Sequence, residues 1–319
     1  MMDNLLYFAA RTVVFVLQAF PLSWVARLGR MAGALAFALD GRHRRIALEN
    51  IARSFPDTLS PAQVKACARE HFRRLGENYC SAIKTASMTK EALALHLEVE
   101  DNKAFQHWMK EHPGGCVIGA IGHFGNFELY ARFGRYLPGF RAATTYRGLR
   151  QAGFNRLMQS LRARSGCLYF ERRTDAAALR EALARGGLLL GLLADQHAGD
   201  RGIPLPFLGR VCSTSAAPAV LALRYNAPLI VAICYRVSLC QWRIEFSPFI
   251  PTLHGDGSPR PVAEIMADVN RCYEEAIRRD PANWFWVHKR WKPGKHRKSS
   301  PSLGDDPDPT ASAKGAALF

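Results

Sequence analysis

His123 and Glu128 stand five residues apart in the stretch Ile118–Arg132, IGAIGHFGNFELYAR. An imidazole with a carboxylate on one nitrogen has a fixed tautomer, and its other nitrogen is left as a base. That pair suits deprotonation of an alcohol attacking an acyl carbonyl. On one continuous helix, five residues would set the two side chains about 140° apart, poor for a hydrogen bond. With His123 in a turn just outside the helix, Glu128 can reach back to it. The competing reading is a turn histidine that caps a neighbour, beside a solvated glutamate.

The surrounding residues predict how the pair is held. The apolar run Cys116–Ile121 reads as a strand, Gly122-His123 as a tight turn, and the residues from Asn126 onward as a helix start. Asn126 is the expected N-cap, and Gly122 and Gly125 permit backbone shapes that a Cβ hinders. Strand ends in an open α/β sheet are where ligands usually bind.

From Cys116 onward, strands and helices alternate, which predicts an α/β sheet covered on both faces. Strands are expected at Cys116–Ile121, Phe140–Tyr146, Cys167–Phe170, Leu188–Ala194, Leu229–Arg236 and Gln241–Phe246. Helices are expected after Glu128 to near Arg135, over 150–164, 175–185, 215–225 and 259–279. Leu188–Ala194 is the clearest buried strand, and it ends in Asp195-Gln196-His197. The segment AGDRGIPLPFLGR after it reads as a Gly/Pro-rich loop. Before the sheet, helices are expected over 43–55, from the Ser60-Pro61 start to about Ile83, and over 89–95 and 101–112.

The chain has 319 residues with 48% hydrophobic content, enough for a sizeable core. Its net charge of +16 exceeds what solubility needs and implies an anionic partner. Basic residues are spread through the α/β pattern without a nucleic-acid motif, so an anionic lipid surface or an acidic substrate is favoured over nucleic acid. The eight cysteines are scattered without CxxC spacing, which fits small buried residues in a reducing compartment.

Residues 4–39 are strongly apolar but divided by Pro21, and neither piece reaches the ~20 residues of a standard spanning helix. Trp24 and the arginines at 27, 30, 42, 44 and 45 suit a membrane interface. We expect one short span or a helical hairpin lying in one leaflet, with two ordinary core helices as the alternative. At the other end, NWFWVHKRWK (283–292) interleaves tryptophans with basic groups, and residues 294–319 read as a disordered tail.

Four blocks stand in order: His123-Phe-Gly-Asn-Phe-Glu128, Tyr146-Arg147, Asp195-Gln196 with its loop to Phe207-Leu-Gly209, and Trp286-Val-His288-Lys-Arg290-Trp-Lys292. Together they resemble the bacterial lipid A biosynthesis acyltransferases, the lauroyl/myristoyl branch of the lysophospholipid acyltransferase superfamily. The resemblance runs from the N-terminal apolar segment to about Lys292. It implies an N-terminal membrane-associated helical segment (1–40) and an αβα layered acyltransferase domain with a mixed, mostly parallel sheet (41–293). It implies acyl transfer from acyl-carrier protein, or in relatives from acyl-CoA, to a hydroxyl of a glycolipid acceptor. The setting would be the cytoplasmic face of the bacterial inner membrane, with no metal and no bound cofactor.

By the same resemblance, His123 is the base and Glu128 its partner, with Asp195 a competitor for that role. Arg147 would hold an anionic group of donor or acceptor, and Gln196 would donate near the acyl carbonyl. Asn126 falls in the first block, on the substrate side of the site, and Arg290 with its tryptophans would form a site wall or membrane face. His197 departs from the family pattern. With His123, Glu128 and Asp195 it raises the thought of a metal, but no compact ligand motif accompanies it. Open alternatives are another glycolipid or amino-acid lipid as acceptor, a lipid hydrolase or thioesterase, and a non-enzymatic basic binding protein.

Overall fold

The computed structural model describes residues 2–134, 139–149 and 151–293. The expected tail at 294–319, Arg150 and the helix end near Arg135 lie outside the described residues. In chain order the helices are α1 (Met2–Ala19), α2 (Leu22–Leu39), α3 (Gly41–Ser54), α4 (Pro61–Thr85), α5 (Lys90–Ala94), α6 (Lys103–Glu111), α7 (Tyr130–Phe133), α8 (Ala152–Arg162), α9 (Ala176–Arg185), α10 (Ala217–Arg224) and α11 (Val262–Arg279). The strands are β1 (Leu97–Val99), β2 (Cys116–Ile121), β3 (Arg141–Tyr146), β4 (Leu168–Glu171), β5 (Leu188–Leu193), β6 (Ile203–Phe207), β7 (Arg210–Thr214), β8 (Leu229–Ser238) and β9 (Gln241–Phe246).

The main sheet runs β1-β9-β8-β2-β5-β3-β4. Its pairs are parallel except β8 with β9, so the sheet is mixed and mostly parallel, as expected. Alternate residues of each central strand face opposite layers. Ile118 and Ala120 of β2, Leu190 and Leu192 of β5 and Val231 of β8 join one buried cluster with residues of α3, α4, α10 and α11. Val117 and Ile230 face the other way and pack with Phe105 of α6. Helices therefore cover both faces.

Two expectations needed correction. The segment expected to be a loop after Ala198 contains the antiparallel hairpin β6–β7. Pro204 and Pro206 hide it from a strand reading, but they are tolerated because their ribbon is two-stranded and their exposed face needs no further pairing. The short strand β1 was also not expected; it pairs in parallel with β9 at the sheet edge.

α4 starts where Ser60-Pro61 predicted, with a reciprocal capping box in which Gln63 N donates to Ser60 Oγ (3.4 Å) and Ser60 N to Gln63 Oε1 (2.8 Å). α2 lies along α4 on a seam of small residues. A Cβ on Gly29, Gly33 or Gly76 would collide with the facing backbone, so only glycine allows this approach. Glu77 of α4, fully buried, ties the seam to the sheet. It accepts from Arg30 of α2 (3.1 Å), from Arg236 of β8 (2.9 Å) and from the backbone of Cys240 (3.4 Å). α2 is long and apolar enough to cross a membrane by length and composition. Its outward face, and that of α1, carry exposed Phe8, Phe15, Trp24, Met31 and Leu35, with exposed Phe20 in the turn between them.

Candidate active site

β2 and β5 are parallel neighbours in register, Ile121 opposite Leu193. Two residues further along each strand direction stand His123 and Asp195. The register delivers their side chains to the same place at the C-terminal edge of the sheet. Asp195 is fully buried and its carboxylate holds His123 twice: Nδ1 to Oδ1 at 2.8 Å, and the backbone N–H to Oδ2 at 2.8 Å. The indole of Trp284 donates a third hydrogen bond to Oδ2, also at 2.8 Å. Burial alone would raise the Asp195 pKa. The attraction and hydrogen bonds of His123, and the Trp284 N–H, outweigh it and hold the carboxyl below its ordinary value.

An ionised Asp195 accepts at Nδ1, so the proton of a neutral imidazole sits there and Nε2 is left with the lone pair. Nε2 has no hydrogen bond to the described residues. The ring is steadied by Phe127 (centroids 4.9 Å apart) and Phe285 (5.7 Å).

Glu128 does not reach back to His123. Residues Phe127–Leu129 form a 3-10 turn, and the Glu128 carboxylate pairs with Arg162 of α8 at 2.8 Å. Asp195 already fills the place at Nδ1. Arg162 also lies over Tyr169 (5.3 Å) and Tyr146 (5.7 Å). Asn126 occupies the N-cap position, but its side chain caps nothing: it is buried, and neither its oxygen nor its nitrogen has a partner among the described residues. Nor does it line the cavity described next.

A cavity of about 980 Å³ opens beside the dyad. His123, Glu128, Arg147, Arg162, Gln196 and His197 all line it. Its floor is one face of the sheet, where Gly119 of β2 pairs with Gly191 of β5 and Ala142 and Thr144 of β3 continue the row. The absence of side chains at the two glycines makes the trough. Gln196 offers its amide to the cavity without a hydrogen bond to a described residue. His197 is committed elsewhere: its Nε2 meets the carbonyl of Lys292 (2.9 Å), and its Nδ1 accepts from Gly199 N (2.9 Å).

Arg290 is not a wall of this cavity. It is fully buried and holds backbone together, donating to Gln196 O (2.9 Å), to Ser213 O and to Thr214 Oγ1 (2.9 Å). The neighbouring tryptophans are core as well: Trp284 and Trp286 are buried, and Trp291 donates to Phe207 O (3.1 Å) beneath the Arg210 guanidinium. The aromatic–basic run thus braces the site from behind. Sequence reading missed the part of Trp284 and Phe285 because their contacts lie far away in the chain.

Residues 1–293 match the family model described as bacterial lipid A biosynthesis acyltransferase. The chain belongs to that family. It is 25% identical over 276 residues to the lipid A biosynthesis palmitoleoyltransferase of Escherichia coli (strain K12), covering 83% of this chain and 84% of the relative. The lipid A biosynthesis acyltransferase of Shigella flexneri matches with the same identity and the same coverage. The protein is therefore an acyltransferase of lipid A biosynthesis, with a fatty acyl donor and a glycolipid acceptor. For such an enzyme, an imidazole held by a buried carboxylate beside an apolar trough is the geometry to explain.

Proposed function

We propose that this acyltransferase moves a fatty acyl chain from the thioester of an acyl-carrier protein to a hydroxyl of a lipid A precursor, with His123 as general base. The observation that carries this reading is His123, held from behind by the buried Asp195, lining the cavity whose floor is the glycine trough. Nε2 of His123 takes the proton of the acceptor hydroxyl as its oxygen attacks the thioester carbonyl. The tetrahedral oxyanion collapses, the C–S bond breaks, and the imidazolium returns its proton to the leaving thiolate. Asp195 holds the tautomer and stabilises the transient imidazolium. Gln196 is the favoured side-chain donor to the oxyanion, and Arg147 holds an anionic group of a substrate. No serine or cysteine nucleophile is needed, so both substrates bind together and no acyl-enzyme forms.

The exposed apolar faces of α1 and α2 favour contact with a membrane, and the +16 charge favours an anionic leaflet and an acidic carrier protein. We place the catalytic domain on the cytoplasmic side of the bacterial inner membrane, where acyl-carrier protein is available. Residues 1–40 serve as the membrane segment and 41–293 as the catalytic domain.

The test uses full-length protein in detergent with radiolabelled acyl-carrier protein and a lipid A precursor, and acyl-CoA as a second donor. Acylated lipid from wild type, and a loss of about two to four orders of magnitude in His123→Ala, are expected. Free fatty acid without acylated lipid would replace the reading by a hydrolase. A strong preference for acyl-CoA would replace the donor alone.

The trough makes a separate prediction. A Cβ on Gly119 meets only ordinary contacts, at 3.7 Å or more, so a valine there adds its bulk to the cavity rather than to the core. Gly119→Val is expected to move the donor optimum to shorter chains. Each methylene excluded is worth about 0.8 kcal/mol, roughly fourfold in kcat/KM. Competition between donors of graded length measures it; a uniform loss at all lengths would remove the trough from chain binding.

A further inference from the structure

The register that joins His123 to Asp195 has a counterpart two strands away. β3 and β4 are parallel neighbours with Tyr146 opposite Glu171. The next residue on each is an arginine, Arg147 and Arg172, so two guanidinium groups leave adjacent strand ends side by side. Parallel strands lie about 4.8 Å apart, within reach of one small anion. Both side chains line the same cavity as His123.

Neither arginine has a carboxylate partner among the described residues, whereas Arg162 nearby is paired with Glu128. Arg172 is fixed by its own atoms: its backbone N–H donates to Tyr146 O (3.0 Å) and its Nε to Thr145 Oγ1 (3.3 Å). That leaves its terminal nitrogens free to donate. The acidic neighbour Glu171 spends its carboxylate on the backbone N–H groups of Gly148 (3.2 Å), Arg173 (2.6 Å) and Thr174 (3.1 Å). Asp175 likewise accepts from Glu171 N (2.8 Å). The Arg172 pKa is held below its ordinary value by desolvation first and by the charge of Arg147 second, against the weaker pull of Glu171. Two guanidinium groups set close together at the exposed rim of the cavity suit one small anion.

We propose that Arg147 and Arg172 together bind a phosphate monoester on the glycolipid acceptor. This rests on the acyltransferase reading for the identity of the acceptor, but the site itself stands on the two arginines. A monoester dianion matches two adjacent guanidinium charges better than the singly charged phosphodiester of a carrier prosthetic group. The strand spacing puts the site roughly 10–15 Å from His123, two to three strands along the same edge. The phosphate would thus anchor the sugar at a distance from the hydroxyl that reacts. Arg172 becomes a substrate-binding residue that the four sequence blocks did not contain.

The test compares wild type, Arg172→Gln, Arg172→Lys and, as a surface control, Arg173→Gln, all full-length in detergent. With a phosphorylated precursor, Arg172→Gln is expected to raise acceptor KM on the order of tenfold or more, with kcat and donor KM nearly unchanged. Arg172→Lys should recover part of the loss and Arg173→Gln should show none. On the same precursor after phosphatase treatment, wild type and Arg172→Gln should become equal. A rise in donor KM instead would assign the arginines to the donor and overturn the proposal. An equal defect on the dephosphorylated precursor would reduce Arg172 to a structural role. Inorganic phosphate serves as a probe that needs no turnover: it should raise the melting temperature of wild type and not of Arg172→Gln. If no acyl transfer occurs in any sample, this difference still upholds the site while the functional reading fails, and equal shifts in the two proteins overturn the site.

Discussion

Asp195→Asn is expected to lower kcat by about three to four orders of magnitude, with both KM values within a few-fold of wild type. The reason lies in how the carboxylate is used. Oδ1 takes the Nδ1 proton, and Oδ2 takes both the His123 backbone N–H and the Trp284 indole. An amide has one oxygen. Turned so that its oxygen serves the backbone and the indole, it sets an NH2 group against Nδ1 and drives the imidazole proton to Nε2, the nitrogen that the proposed mechanism needs empty. Turned the other way, it sets that NH2 against two donors. Glu128→Gln, which loosens only Arg162, should cost much less. Steady-state kinetics of the two variants side by side decides between them, and a larger loss in Glu128→Gln would return the partner role to Glu128. The carboxylate also affects stability. Its folded pKa is below the ordinary value, so its contribution is full above the ordinary carboxylate range and is lost as pH falls through the folded value. Asp195→Asn should therefore show a shallower acid limb of stability than wild type.

Glu77→Ala is expected to be the most destabilising single change, by about 3–5 kcal/mol. Glu77 has no exposed surface, and its loss strands Arg236, only 13% exposed, while Arg30 keeps Glu70. The damage is then concentrated where α4 meets β8. Denaturant titration measures it. Adding Arg236→Met to Glu77→Ala should restore part of the loss, because an apolar side chain of similar length does not need the missing charge. Full additivity of the two changes would mean that the pair does not act as a unit.

Much of the fold could be read from the chain, because β2, β5 and β8 are apolar runs bounded by turn residues and β9 alternates polar and apolar residues. What sequence could not supply was lateral order. β2 and β5 are neighbours in space but are separated in sequence by α7, β3, α8, β4 and α9, so nothing local announced that Asp195 would stand at His123. Glu128 was the nearer acid in sequence and took the role by default. Arg172 was passed over for the same reason, since its importance comes from facing Arg147 across a strand pair. Arg290 misled in the opposite sense. A buried arginine that bonds to carbonyls and a hydroxyl carries the same letters as one that meets a substrate, and only its surroundings tell them apart. The hairpin β6–β7 was lost to its prolines, whose effect depends on whether a partner strand needs their missing N–H.

The last hydrogen bond on Asp195 also has a place in time. Chains fold from the N-terminus as they are synthesised. His123 and Asp195 leave the ribosome well before Trp284, which is 89 residues further on from Asp195. Arg290, which ties the backbone before β6 to the end of β7, follows later still. A nascent or interrupted polypeptide can thus carry His123 and Asp195 without the hydrogen bond that braces them. The pair is therefore fully braced only once the last residues of the fold have been added.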